Sequence, residues 1–264
     1  MTVLTKLDDY KRRIDAKIDQ LQLPGPYELK EACLYALKNG GKRFRPAIIY
    51  MVAESLGAQN VDDAALAVEL FHTASLIADD LPCMDNDLQR RGKPTLHRAF
   101  DEKTAILATY ALISEGYDLL RKNTPVELLP LVIQQASKNT GLLGATSGQY
   151  FDLMQIASCD IIDIHYLKTA ALFELSFVLG WLLGNGDVKL LDRVVEAAYH
   201  FGIAFQVADD IDDHDEDVGR IYNFAREFGI CKARERVENE LAEVAKALGE
   251  LGLSDLYQLA ELLS

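Results

Sequence analysis

None of the seven prolines in this 264-residue chain falls after Pro130. Proline removes a backbone donor and breaks a helix interior. The second half can therefore run in long helices, punctuated by glycine near Gly141, at Gly184-Asn185-Gly186 and at Gly219. In the first half Pro24, Pro26, Pro46, Pro82, Pro94, Pro125 and Pro130 mark helix starts and breaks. No strand-like alternation or Asn-Gly hairpin signal stands out, and no repeat or low-complexity linker divides the chain. These features predict an all-α fold, one helical-bundle domain over residues 1–264. Helices are expected near 3–22, 27–39, 43–57, 61–80, 95–121, 126–138, 141–156, 161–183, 187–214, 220–248 and 254–262.

A hydrophobic content of 49% over this length is enough for a large core. The formal charge of −14 disfavours nonspecific binding to nucleic acid, which would repel the chain. No stretch of about eighteen uncharged apolar residues occurs, so no transmembrane segment is expected. Residues 1–22 are charged throughout, unlike a signal or transit peptide, and a cytoplasmic location is expected. Cys33, Cys83, Cys159 and Cys231 lack CxxC spacing, so neither a zinc site nor a disulfide framework is implied.

Two acidic clusters lie at the ends of apolar helical runs. The first is Asp79-Asp80-Leu81-Pro82-Cys83-Met84-Asp85, and the second is Asp209-Asp210-Ile211-Asp212-Asp213. Crowded carboxylates repel one another and resist desolvation unless cations share the site, and a helix C-terminus is electrostatically poor for them. Leu66, Leu70, Ala74, Ile77 and Leu81 give the fourth helix a core stripe, with His72 and Asp79 sharing a polar face two turns apart. Pro82 interrupts this helix, so a bulge can carry Asp85 back toward Asp79. In the second cluster, at about 100° per residue, Gln206, Asp209, Asp210 and Asp213 share one stripe while Asp212 points away. Hard oxygen donors of this kind suit magnesium, which retains waters and accepts phosphate oxygens.

Basic elements accompany the acids. Gly40-Gly41-Lys42-Arg43-Phe44-Arg45-Pro46 places paired glycines, Lys42 and Arg45 at a helix start, a credible diphosphate cradle. Read alone, it is also a charged turn between helices. Arg90-Arg91-Gly92-Lys93 follows the first acidic cluster and offers either anion contacts or a solvated loop.

Taken in order, the Gly-Gly-Lys-Arg-Phe-Arg-Pro run, His72, Asp79-Asp80…Asp85, Arg90-Arg91-Gly92, Lys168-Thr169 and Phe205-Gln206…Asp209-Asp210…Asp213 closely resemble the trans-isoprenyl diphosphate synthases over roughly residues 30–214. The resemblance implies a bundle of long helices around a central cavity, usually a homodimer. It implies magnesium, three ions, held between both acidic motifs and an allylic diphosphate, and a second substrate, isopentenyl diphosphate. Asp79, Asp85, Asp209 and Asp213 would hold or approach metal, with Asp80 and Asp210 assisting. Gly41, Lys42, Arg45, His72 and Arg91 would bind isopentenyl diphosphate, while Arg90, Lys168, Thr169 and Gln206 would face the allylic substrate. The implied chemistry is ionisation of the allylic carbon–oxygen bond, attack by the isopentenyl alkene and loss of a proton, with no side-chain nucleophile.

In the family pattern, the residue five before the first motif aspartate often floors the product cavity. Here it is Ala74, beside Ser75, and its small size favours a twenty-carbon or longer product, geranylgeranyl diphosphate first. Phe71 and Leu107 are the other candidate floors, and farnesyl diphosphate the alternative product. Four departures accompany the resemblance. Ala78 replaces a common histidine, Thr109-Tyr110-Ala111-Leu112 lacks a usual acid, Leu88 and Gln89 interrupt an acidic run, and the loop after Asp213 is short, leaving Arg220 as the stand-in for a usual lysine. The short loop is the feature that supports the alternative of a weakly active or regulatory diphosphate-binding subunit.

Overall fold

The structure is a computed structural model that describes residues 2–155, 159–214 and 222–263. The described residues are all-α apart from one minimal hairpin. The described chain divides into two compact units, Met1–Tyr50 with Asn60–Ile133 and Met51–Gln59 with Gln134–Ser264.

In the N-terminal unit, α1 (Val3–Gln20), α2 (Tyr27–Leu37), the start of α3 (Phe44–Ser55), α4 (Asp62–Asp79), α5 (Leu96–Ala99) and α6 (Glu102–Asn123) form the scaffold. Helix α4 is the centre of this unit, because Leu66, Leu70, Ala74 and Ile77 are all buried, as the core stripe predicts. It packs on α6, where Gly116 leaves room for the Phe71 ring: a Cβ there would meet Phe71 Cε1 at 2.5 Å. Asp62 and Asp63 in the first turn of α4 suit the positive end of its dipole. Asp62 is also tied to α1, accepting from Arg13 at 2.7 Å and Lys17 at 2.9 Å, while Tyr50 donates at 3.0 Å. The helix expected over 95–121 is broken, since Asp101 caps α6 by accepting from the Thr104 amide at 2.7 Å.

In the C-terminal unit, α7 (Leu129–Thr140, from Gln134 on), α8 (Ala145–Met154), α9 (Ile161–His165), α10 (Ala171–Leu183), α11 (Leu191–Asp212), α12 (Phe224–Phe228), α13 (Ile230–Glu250) and α14 (Tyr257–Ala260) surround an aromatic core. Phe173 meets Phe201 and Phe205 with ring centroids 5.3 and 4.8 Å apart, and Phe177 meets Phe201 at 5.5 Å. The helix expected over 220–248 is interrupted at Gly229, whose φ of 90° is open to glycine.

Helices α9 and α10 form one run joined by a π turn, Tyr166–Ala170. By length and composition this run, Ile161–Leu183, could cross a membrane, which sets aside the exclusion drawn from uninterrupted apolar stretches. Its 18-residue window is 72% buried inside the protein. Glu174 within it is wholly buried and paired, accepting from Lys138 at 2.6 Å and from the Tyr166 hydroxyl at 2.7 Å. A helix with such a charge neutralised by its neighbours is a core helix of a globular protein.

Candidate active site

The first acidic cluster is shaped by what happens where α4 stops. Pro82 cannot donate, and the chain turns back with the Met84 amide on the Leu81 carbonyl (2.9 Å) and the Asn86 amide on the same carbonyl (3.1 Å). The Asp85 amide then donates to the Asp79 carbonyl at 2.9 Å, which is the return of Asp85 toward Asp79 that the proline suggested. Asp80 takes a different course. It is buried, and its Oδ1 accepts from Arg90 Nε at 2.7 Å and Nη2 at 2.6 Å. Burial pushes its carboxyl above the usual range by more than Arg90 pulls it down.

Arg90 is delivered by the hairpin β1 (Gln89–Arg90) and β2 (Lys93–Pro94), with Arg90 opposite Lys93. Its two-residue turn, Arg91-Gly92, has φ of 53° and 76°, the signature of a type I′ turn. The hairpin is fixed to α2 and the loop after it. Tyr35 donates its hydroxyl to the Pro94 carbonyl at 2.8 Å, and Asn39 donates to the Arg90 carbonyl at 3.0 Å. Arg91 donates to the Gly40 carbonyl and lies over Gly41, where a Cβ would come within 2.7 Å of its guanidinium. It is the φ of 132° that calls for glycine at position 41, since the Arg91 guanidinium is the far end of a flexible side chain.

The other basic residues gather in the same unit. Arg45 Nη1 stands 3.4 Å from His72 Nε2, and Lys42 is exposed at the tip of the glycine loop. Burial first, then the guanidinium groups of Arg45, Arg91, Arg43 and Arg90, holds His72 well below the usual histidine range, so its ring is neutral at pH 7. Gly41, Arg45, His72 and Arg91 are thus brought together with Lys42 beside them. Arg90, expected toward the allylic substrate, is occupied by Asp80 and, at 3.2 Å, Asp87.

The second acidic cluster, at the end of α11, is built on hydrogen bonds. Asp210 is 3% exposed and accepts from the Gln206 amide at 2.8 Å and the Phe224 backbone N–H at 2.7 Å, while His165 Nε2, which donates to the Tyr222 carbonyl at 3.3 Å, lies 3.3 Å from its Oδ2. Its own carbonyl accepts from Asn223 at 3.0 Å. Gln206 in turn accepts from the Thr169 hydroxyl at 2.6 Å. Asp209 is partly buried, whereas Asp212 and Asp213 are exposed.

Lys168 and Thr169 sit in the π turn, a local widening that re-aims side chains and recurs at functional sites. Two glycines clasp it. A Cβ at Gly148 of α8 would lie 2.2 Å from the Lys168 nitrogen, and one at Gly202 of α11 would lie 2.3 Å from the Ala170 Cβ. Lys168 is ion-paired to Asp152 of α8. Asp152 was missed from the sequence, as was Gln149, whose buried amide has no partner among the described residues. Their signal is a glycine followed by an amide and a carboxylate three residues apart on one helix face. Arg220 and the short loop after Asp213 lie outside the described residues.

No cluster of three or more His, Cys, Asp or Glu side chains set to hold a metal occurs among the described residues. Magnesium takes one or two carboxylates and completes its shell with water and phosphate oxygens. Asp79 with Asp85, and Asp209 with Asp213, supply donors of the right hardness.

The polyprenyl synthetase family profile matches residues 26–222, and the chain belongs to that family. It is 32% identical over 285 residues to farnesyl diphosphate synthase of Bacillus subtilis, covering 98% of this chain and 96% of that one. It is 34% identical over 258 residues to geranylgeranyl pyrophosphate synthase 4 of Arabidopsis thaliana, covering 89% of this chain and 68% of that one. The crystal structure of an FPP/GFPP synthase from Zymomonas mobilis superposes with a TM-score of 0.88 at 31% identity, covering 98% of each chain. The chain is a prenyltransferase of the isoprenyl diphosphate synthase family, whose reaction is the magnesium-dependent condensation of isopentenyl diphosphate with an allylic diphosphate.

Proposed function

We propose that this prenyltransferase extends its allylic substrate to geranylgeranyl diphosphate. The observation that carries the product length is Ala74, buried on α4 five residues before Asp79 and too small to close a cavity. Phe71, the other candidate floor on that helix, has its ring engaged by Gly116 and by Tyr117, 5.1 Å away between centroids. Each added isoprene unit buries apolar area worth a few kcal/mol at about 25 cal/mol per Å², so a small residue here has leverage over chain length.

In this reading Lys42, Arg45 and Arg91 bind the diphosphate of isopentenyl diphosphate, and neutral His72 adds a hydrogen bond without competing charge. Asp79, Asp85, Asp209 and Asp213 hold magnesium. When bound, magnesium neutralises the departing allylic diphosphate and so lowers the cost of ionisation. Lys168, Thr169 and Gln206 face that diphosphate, with Lys168 released from Asp152 as substrate enters. Asp80 and Asp210 assist by fixing the two helix ends.

We also infer a homodimer, supported by Ile106, Leu107, Tyr110 and Ile113, which leave one stripe of α6 at least 36% exposed. The deciding experiment is incubation of the purified protein with magnesium, labelled isopentenyl diphosphate and separate ten- and fifteen-carbon primers, followed by chromatography. Geranylgeranyl diphosphate from both primers supports the reading. Arrest at fifteen carbons replaces it with a farnesyl product, and no elongation without a partner synthase replaces it with a regulatory subunit. Ala74→Tyr is expected to shorten the product, and an unchanged product removes Ala74 as the determinant.

A further inference from the structure

Arg43 sits between Lys42 and Arg45 in the basic loop, a third cation beside the two assigned to phosphate. The structure turns it the other way. Its side chain is 3% exposed, and each guanidinium nitrogen meets its own acceptor. Nε donates to Asp15 of α1 at 2.9 Å, Nη1 to Glu69 of α4 at 2.5 Å and Nη2 to the Leu37 carbonyl at the end of α2 at 2.7 Å. The last is one of the carbonyls left unpaired by the helix end, so Arg43 also caps α2.

The backbone around it is committed to an uncommon path. Gly40 and Gly41 have φ of 80° and 132°, and Arg43 itself has φ of 56°. For an L-residue this left-handed region costs about 1–2 kcal/mol, and it persists only where surroundings over-determine it. A buried guanidinium anchored on three elements is such a surrounding.

The same residue starts the next helix, its carbonyl accepting from the Ala47 amide at 3.1 Å. Arg43 therefore fixes both the loop that presents Lys42 and the first turn of α3 that carries Arg45. Helix α4 reads this register at two points: Glu69 holds Arg43, and His72, three residues on and so on the same face, meets Arg45. A buried ion pair adds little net stability over an apolar pair of similar volume. Its directional fork is what an apolar pair cannot supply.

We propose that Arg43, held by Asp15 and Glu69, is the positioning residue of the isopentenyl-diphosphate cradle, setting the directions of Lys42 and Arg45 without touching substrate. The proposal rests on the assignment of that cradle to isopentenyl diphosphate.

The test compares Arg43→Met/Glu69→Leu, Arg43→Lys and Asp15→Asn with Lys42→Ala as reference, by steady-state kinetics in both substrates and by thermal melting. The double variant removes both buried charges together, so it is expected to melt near the parent. Its KM for isopentenyl diphosphate should rise about tenfold while the allylic KM stays within about twofold, because only one cradle loses its orientation. If the double variant does not fold, Arg43→Lys carries the same prediction, since lysine keeps the charge and cannot reach three acceptors. Asp15→Asn, on the more exposed partner, should show the same selectivity at smaller size. Folded variants with an unchanged KM for isopentenyl diphosphate overturn the proposal, provided Lys42→Ala raises it. If Lys42→Ala also leaves that KM unchanged, the cradle assignment falls and the positioning role with it.

Discussion

The two aspartate-ended helices solve one electrostatic problem in different ways. Both α4 and α11 finish in adjacent carboxylates at the negative end of a helix dipole, and each turns the second of the pair inward. Asp80 is matched by a guanidinium, with Arg90 28% exposed on a surface hairpin. Asp210 is matched from within by an amide, a backbone N–H and a histidine ring. An ion pair at a half-open site is screened and separable. A carboxylate that satisfies a buried backbone N–H is part of the packing, and its loss strands several donors at once. The α4 end is thus adjustable, while the α11 end is bound to the π turn and to α12.

This contrast can be broken in several places. The largest effect is expected on the first aspartate of each pair. Asp79→Ala and Asp209→Ala should each lower kcat by on the order of a thousandfold, several kcal/mol of transition-state stabilisation, with melting temperature unchanged. Loss of stability instead of turnover would make these residues scaffold.

The inward acids should respond unequally. Asp210→Ala is expected to destabilise by about 3 kcal/mol in urea unfolding, because Phe224 N–H and Gln206 lose their acceptor inside the protein. Asp80→Ala should cost about 1 kcal/mol, since Arg90 can turn to water or Asp87. Equal losses would erase the distinction between the two ends.

The π turn sharpens the α11 side further. Gly148→Ala and Gly202→Ala each force backbone or Cβ contacts near 2.2 or 2.3 Å to open, at a cost of about 2 kcal/mol. The prediction is a lower melting temperature together with a raised KM for the allylic substrate.

The smallest effect concerns pH. His72 is depressed in the folded protein relative to its ordinary 6.5, so below that pH the unfolded chain binds the extra proton. Its contribution to stability is complete above about pH 6.5 and is lost as pH falls from there toward the depressed folded value. His72→Gln should flatten that part of the acid limb of the stability curve, measured by urea unfolding at several pH values. An unaltered slope would place the titration elsewhere.

Much of the fold was legible because burial follows periodicity. The stripe through Leu66, Leu70, Ala74 and Ile77 is the core of α4, and the run expected over 161–183 is helical throughout. The breaks were harder to read. Asp101 is a capping residue amid helix-forming neighbours, and the hairpin turn is Arg-Gly, without the Asn or Asp that usually announces φ above zero. The π turn has no sequence signature, being set by close approach of α8 and α11 at Gly148 and Gly202. At the site, residue types pointed to candidate groups, but not to which of them are already engaged by partners. Arg43, Arg90, Asp80 and Asp210 owe their roles to partners distant in the chain, such as Glu69 for Arg43 and Phe224 for Asp210. Helical phase placed Asp209 and Asp210 on one stripe, and only the packing of α12 separates them.

The division of labour within each acidic pair is tested most directly by the magnesium dependence of turnover in Asp209→Asn and Asp210→Asn, with melting temperatures recorded alongside. Asp209→Asn is predicted to need on the order of tenfold more magnesium for half-maximal rate at parental thermal stability, having lost a metal-side carboxylate. Asp210→Asn is predicted to melt earlier with its magnesium requirement unchanged. A raised magnesium requirement in a fully stable Asp210→Asn protein would contradict the account.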